Sequence, residues 1–151
     1  MDFAYLKDLM THHAKIICLL TDGVSAEQAR WKPDVDTWSI LEIINHLYDE
    51  EREDFRAHLD AILHRPKDPW SPIRPFEWVT ERRYNERDLE TSVQNLLAER
   101  RESLAWLESL GAPDWGTSMP APGGASISAG DMFTSWIVHD QWHIQQLIQA
   151  D

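Results

Sequence analysis

The chain has 151 residues and a mass of 17.6 kDa, with 14 Lys plus Arg against 26 Asp plus Glu, a formal charge of −12 and a sequence pI near 4.9. That length allows one domain, 1–151, with a core large enough to fold without staples, and the acid excess excludes nucleic acid or an anionic membrane as the main partner. A lone cysteine excludes an internal disulfide and a thiolate metal site, and the charged opening MDFAYLKDLMTHHAK leaves no signal peptide, so a cytoplasmic soluble domain is expected.

Four segments carry a helical period between stretches rich in Pro, Gly, Asp and Ser, which predicts an all-α four-helix bundle. The first helix, about Asp2 to Leu20, puts Leu6, Leu9, Met10, His13, Ile16, Ile17 and Leu20 on one stripe. Cys18 falls beside that stripe and reads as a small packed hydrophobe rather than a reactive thiol. After a connector holding Trp31, Pro33 and Trp38, the second helix opens on a capping box, Ser39 with Glu42 three residues on. Its stripe runs Ile40, Ile43, Ile44, Leu47, Phe55, Leu59 and Ile62, while the acidic run from Tyr48 to Asp54 reads as solvated surface and His58 and His64 as solvent-facing. The next connector, about Leu63 to Asn85, has prolines at 66, 69, 72 and 75, a spacing that predicts an extended polyproline strap. Extended chain at about 3.1 Å per residue outreaches a helix at about 1.5 Å per residue, so the strap can cross the bundle and set the third helix parallel to the second. That third helix, about Asp88 to Leu110, carries Leu89, Val93, Leu96, Leu97, Leu104 and Leu107 and stops at Gly111 and Pro113. Arg100 and Arg101 interrupt its stripe as partners for carboxylates. Beyond the connector Ala112 to Ile127, the fourth helix, about Ala129 to Gln149, opens with Ser128 and Asp131 as a second capping box. Trp70, Trp78 and Trp115 in the connectors either mark a dimer face or cap the bundle.

The chemistry centres on histidines. His139 and His143 are four apart on the fourth helix, one turn above each other and within reach of one ion. They share the face of Met132, Phe133, Trp136, Ile137, Ile144 and Leu147, where inward imidazoles need partners that a metal supplies. His46, beside Leu47, adds a nitrogen from the second helix, and three nitrogens with open positions are the pattern of a catalytic metal site. His13, on the first stripe, is an auxiliary ligand or a hydrogen-bonded core histidine. Glu50, four residues after His46, is a fourth ligand, a base acting on water at the ion, or part of a solvated acidic face with Glu51. Gln146, three after His143, can hold a ligand or water from behind.

WSILEIINHL at Trp38 to Leu47, followed by HDQWHIQQL at His139 to Leu147 and preceded by the WKP of Trp31 to Pro33, resembles the DinB/YfiT-like superfamily of metalloenzymes. The resemblance spans the chain from the first helix to the last. It implies a four-helix bundle with a long crossover and up-down-down-up topology, frequent homodimers, and a divalent metal, most often nickel or zinc. The metal would be held by His46, His139 and His143, and Gln146 matches the glutamine that commonly follows the last histidine. Members of the superfamily include transferases that use a low-molecular-weight thiol. The expected function is therefore a small metal-dependent enzyme acting on a small molecule, by thiol S-transfer to an electrophile or by metal-assisted hydrolysis. A stress-related binding or scaffold protein with a structural metal is the other reading.

Overall fold

Each long helix begins on a side chain that satisfies its free amides. Asp2 accepts from the Tyr5 amide ahead of α1 (Phe3–Thr21), and Ser39 and Glu42 close a reciprocal box ahead of α3 (Ile40–Glu50). Asp88 does the same for α6 (Leu89–Ser109), and Ser128 Oγ accepts from the Asp131 amide at 3.0 Å at the start of α7 (Ala129–Ala150). A computed structural model describes residues 1–150. α3 passes through a π-helical turn, Glu51–Phe55, into α4 (Arg56–His64), and together these form the second helix of the bundle. Gly111 ends α6 at φ 67°, a left-handed position that glycine adopts without strain.

Side-chain pairings fix the direction of every helix. Asn45 meets Ser92 and Arg56 meets Ser103, so the second and third bundle helices are parallel. Phe3 packs on Phe133 and His13 bonds Asp140, so α1 and α7 are parallel. Lys7 pairs with Glu108 while Arg100 reaches the Met10 carbonyl, so α1 and α6 are antiparallel. Trp136 bonds Glu51 and His139 meets His46, so α7 opposes α3. The result is the up-down-down-up bundle.

The connectors hold more structure than the sequence predicts. A five-residue helix, α2 (Ala26–Arg30), has its own capping box of Ser25 and Gln28. The proline strap is helix-free only at 65–74, because Pro75 takes the first turn of a further helix, α5 (Pro75–Glu81), where its missing N–H costs nothing. A 3-10 turn, Tyr84–Glu86, follows. Polar contacts nail this segment to α3: Arg82 donates to Asp49 at 2.7 Å and pairs with Glu53, the Tyr84 hydroxyl donates to Asp49, and Arg87 donates to Asn45 at 2.8 Å. The last connector forms a hairpin of β1 (Ser118–Pro120) and β2 (Ser126–Ser128), which drives Met119 into the core.

The core has two apolar halves with a polar layer between them. One half gathers Met10, Phe55, Leu59, Leu107, Met119, Phe133 and Trp136, and the other gathers Ile17, Ile43, Ile44, Leu47, Leu96 and Leu147. In the layer, Arg100 makes a two-pronged contact with Glu51 at 2.8 and 2.9 Å and reaches Asp140 at 2.8 Å, and His13 lies 3.3 Å from Asp140. Trp136 Nε1 donates to Glu51 as well, at 3.1 Å. Every helix of the bundle contributes to this layer.

Three expectations fail here. Cys18 is exposed, since it sits just off the stripe rather than on it. The acidic run is not solvated: Asp49, Glu50, Glu51 and Asp54 are all buried, because the inward faces of α3 and the π turn meet Arg82, Arg100, Tyr84 and His58. His58 is buried too, enclosed by Asp54, Ser71 and Trp70. Two of the connector tryptophans cap the bundle, Trp115 stacked on Phe133 and Trp70 on His58, while Trp78 lies under Arg82 of its own connector. Among the described residues no helix is long and apolar enough to cross a membrane.

Candidate metal centre

Antiparallel packing of α3 on α7 sets His46 opposite the turn that carries His139 and His143. The Nε2 atoms of His46 and His139 are 3.1 Å apart, as are those of His143 and His139, and one nitrogen from each of the three lies within 4.8 Å of the others. A tetrahedral ion with bonds of about 2.0 Å to nitrogen sets its ligands about 3.3 Å from one another, so the trio is spaced for a single ion.

Protonation also favours a cation. Burial, reinforced by the neighbouring His143 and His139, lowers His46 to about 2, and burial with His139 lowers His143 to about 4. Burial lowers His139 as well, against the opposing pull of Asp140 and Asp54. At neutral pH all three rings therefore hold free lone pairs aimed at one another, an arrangement that a shared cation relieves. Gln146 Oε1 accepts from His143 Nδ1 at 2.7 Å, which leaves the Nε2 of His143 unprotonated and facing its partners. The buried Nδ1 of His46 has no partner. These residues fit a three-nitrogen divalent site, as the sequence suggests.

Glu50 is buried one turn past His46, and its Oε1 has no hydrogen-bond partner. Burial first, then the adjacent Asp54, Asp49 and Glu53, push its carboxyl up to about 9, so it carries a proton at neutral pH. The π turn begins at the next residue, and such turns recur at functional sites. His13 does not join the trio; it is the hydrogen-bonded core histidine of the polar layer.

His58, expected in solvent, is enclosed. Its Nδ1 donates to Asp54 at 2.6 Å, its Nε2 donates to the Ser71 carbonyl at 2.8 Å, and Trp70 stacks on the ring with centroids 4.0 Å apart. Both nitrogens face acceptors, an arrangement that favours the imidazolium: burial alone lowers the ring's pKa, but the bonds to Asp54 and Ser71 raise it overall. The four-residue spacing of Asp54 and His58 was a readable sign of this pair. His64 is exposed as expected.

Aromatic rings surround the trio. Trp38 lies 4.6 Å from His46 and 6.0 Å from His143, Phe55 is 4.9 Å from His139, and Trp142 is 4.9 Å from His143. A pocket of about 440 Å³ opens beside His139, lined by Phe55, Thr134, Ser135, Val138 and Trp142. A larger groove of about 690 Å³ between α1, α2 and α6 touches none of the three histidines.

A four-helix bundle with histidines converging from its second and fourth helices is the frame of a metal-site protein. The sequence matches the DinB superfamily over residues 13–147, and the chain belongs to that superfamily. It is similar in fold to YfiT from Bacillus subtilis, described as a probable metal-dependent hydrolase with an unusual four-helix bundle topology. The TM-score is 0.86 at 13% identity, covering 98% of this chain and 85% of that one. No curated protein matches the sequence.

Proposed function

We propose that the chain is a metal-dependent hydrolase in which His46, His139 and His143 hold a divalent ion, zinc or nickel, and Glu50 moves the proton. The observation that carries this reading is the convergence of three neutral imidazoles, one of which, His139, lines an open pocket. When bound, such an ion supplies Lewis acidity toward a carbonyl or phosphoryl oxygen and acidifies water. Three protein ligands leave room for substrate, which favours a catalytic over a purely structural ion. Gln146 holds the ring of His143 in the ligating orientation. Glu50, buried one turn past His46 and with one oxygen free, would deliver a proton to a leaving group or take one up. YfiT, being described as a probable metal-dependent hydrolase, supports hydrolysis over thiol transfer.

The test is to strip the protein of metal, reload it with zinc or nickel, and assay a panel of chromogenic esters, amides and phosphoesters, with a thiol and a chromogenic electrophile alongside. Hydrolysis that requires the ion is expected, and metal-dependent thiol conjugation without hydrolysis would overturn it in favour of S-transfer. Glu50→Gln is expected to keep its metal and lose about 10²- to 10⁴-fold in kcat. The same variant should be more thermally stable than wild type when metal-free. The folded carboxyl titrates near 9 and an ordinary one near 4.5, so in wild type the folded state is penalised increasingly as pH rises between those values. The gain in Tm for Glu50→Gln should therefore grow from pH 5 to pH 8, and a gain independent of pH would contradict the assigned protonation.

A further inference from the structure

We infer that the pocket beside His139 takes a small uncharged molecule with an aromatic or similarly apolar body, whose polar end is the part presented to the histidines; this rests on the metal site proposed above. The lining residues carry no charge, although the chain as a whole has a formal charge of −12. Thr134 spends its hydroxyl on the Gly130 carbonyl at 2.8 Å, so the polar groups left free in the pocket are Ser135 and the ring of His139. Val138 and Trp142, one helical turn apart, are 56% and 58% exposed. Much of the outward face of α7 is polar, with Asp131, Ser135, Gln141, Gln145 and Gln149 exposed, and its other large exposed apolar side chain, Ile148, does not line the pocket. Two large apolar side chains left in water one turn apart, in the lining of a pocket that includes His139, mark a surface that a ligand covers.

Geometry ties that surface to the ion site. His139 is the half-buried member of the trio and the one that lines the pocket, so it joins the apolar wall to the converging nitrogens. Phe55 and Trp142 stand against His139 and His143 with ring centroids 4.9 Å away, and Phe55 stacks on the buried Trp136, which fixes its ring. A volume of about 440 Å³ suits one ring system with a short functional arm. With no cationic side chain in the lining, a free anion finds no partner there apart from the ion itself.

Two hydroxamates that chelate alike and differ only in their apolar body test this on the zinc-loaded chain by calorimetry. Benzohydroxamate is expected to bind about tenfold or more tightly than acetohydroxamate, from the apolar area its ring buries. Trp142→Ser and Val138→Ser, both at exposed positions, should reduce that ratio to below about threefold without changing the zinc content. Equal affinities for the two hydroxamates in wild type would overturn the apolar-substrate inference and leave the metal site standing. Binding of neither by a chain that retains its zinc would overturn the open metal site, and this inference with it.

Discussion

Replacing Arg100 with leucine is expected to destabilise the protein by about 3–5 kcal/mol, the cost of leaving buried carboxylates without their counter-charge. Arg100 is almost wholly enclosed, meets both oxygens of Glu51, and bonds Asp140 and the Met10 carbonyl. Burial alone would push Asp140 up, but Arg100 and His13 hold it below the usual carboxylate range, so removing the guanidinium exposes the full penalty of that burial. For a domain of this size the loss corresponds to a fall in Tm of about 6–20 °C. Arg100→Lys should fall between, because an ammonium keeps the charge but cannot match Glu51 with two parallel bonds. Replacing Glu51, Arg100 and Asp140 together by apolar residues should cost less than Arg100→Leu alone, since no charge is then left unpaired. Thermal unfolding that places Arg100→Leu within about 1 kcal/mol of wild type would contradict the role given to the polar layer.

The second large effect is acid sensitivity of the metal-free chain. In the unfolded state His46 and His143 take up protons near 6.5, whereas folded they resist until about 2 and about 4. Their folded pKa values are depressed, so at pH 8 they contribute nothing and below 6.5 the unfolded state gains protons that the folded state refuses. Each then costs about 1.4 kcal/mol per pH unit, and His139 adds to the loss in the same direction. His58 does not offset this: its raised folded pKa gives a stabilisation already complete below 6.5 and lost only as pH rises through the folded value. Metal-free protein should therefore lose Tm steeply between pH 6.5 and 4.5, and His46→Gln with His143→Gln should flatten that fall. Equal slopes in wild type and the double variant would contradict the neutral, buried state assigned to these rings.

Most of the bundle was readable from residue order because helical period, capping boxes and glycine stops are local signals. Ser39 with Glu42, and Gly111 after α6, behave as their spacing predicts. The histidine trio was readable for the same reason, since the four-residue step of His139 and His143 and the place of His46 beside Leu47 fix their faces before any packing is known. What was not readable depends on partners distant in the chain. Glu51 resembles a surface acid until Arg100, 49 residues away, is seen to close on it. His58 resembles a surface histidine until Trp70 and the Ser71 carbonyl fold back over it. The strap was misread for a different reason: a proline at a helix start and a proline in an extended run look alike in sequence, and the contacts that hold this segment on α3, Arg82 and Tyr84 to Asp49 among them, join residues far apart in the chain.

The measurement that reaches the central claim most directly is elemental analysis of the purified chain beside His139→Ala. His139 is the ring whose Nε2 lies 3.1 Å from both of the others, so its loss opens the trio. Wild type should carry about one divalent ion per chain, and His139→Ala close to none while keeping its helical content. Equal metal content in the two proteins would contradict the account.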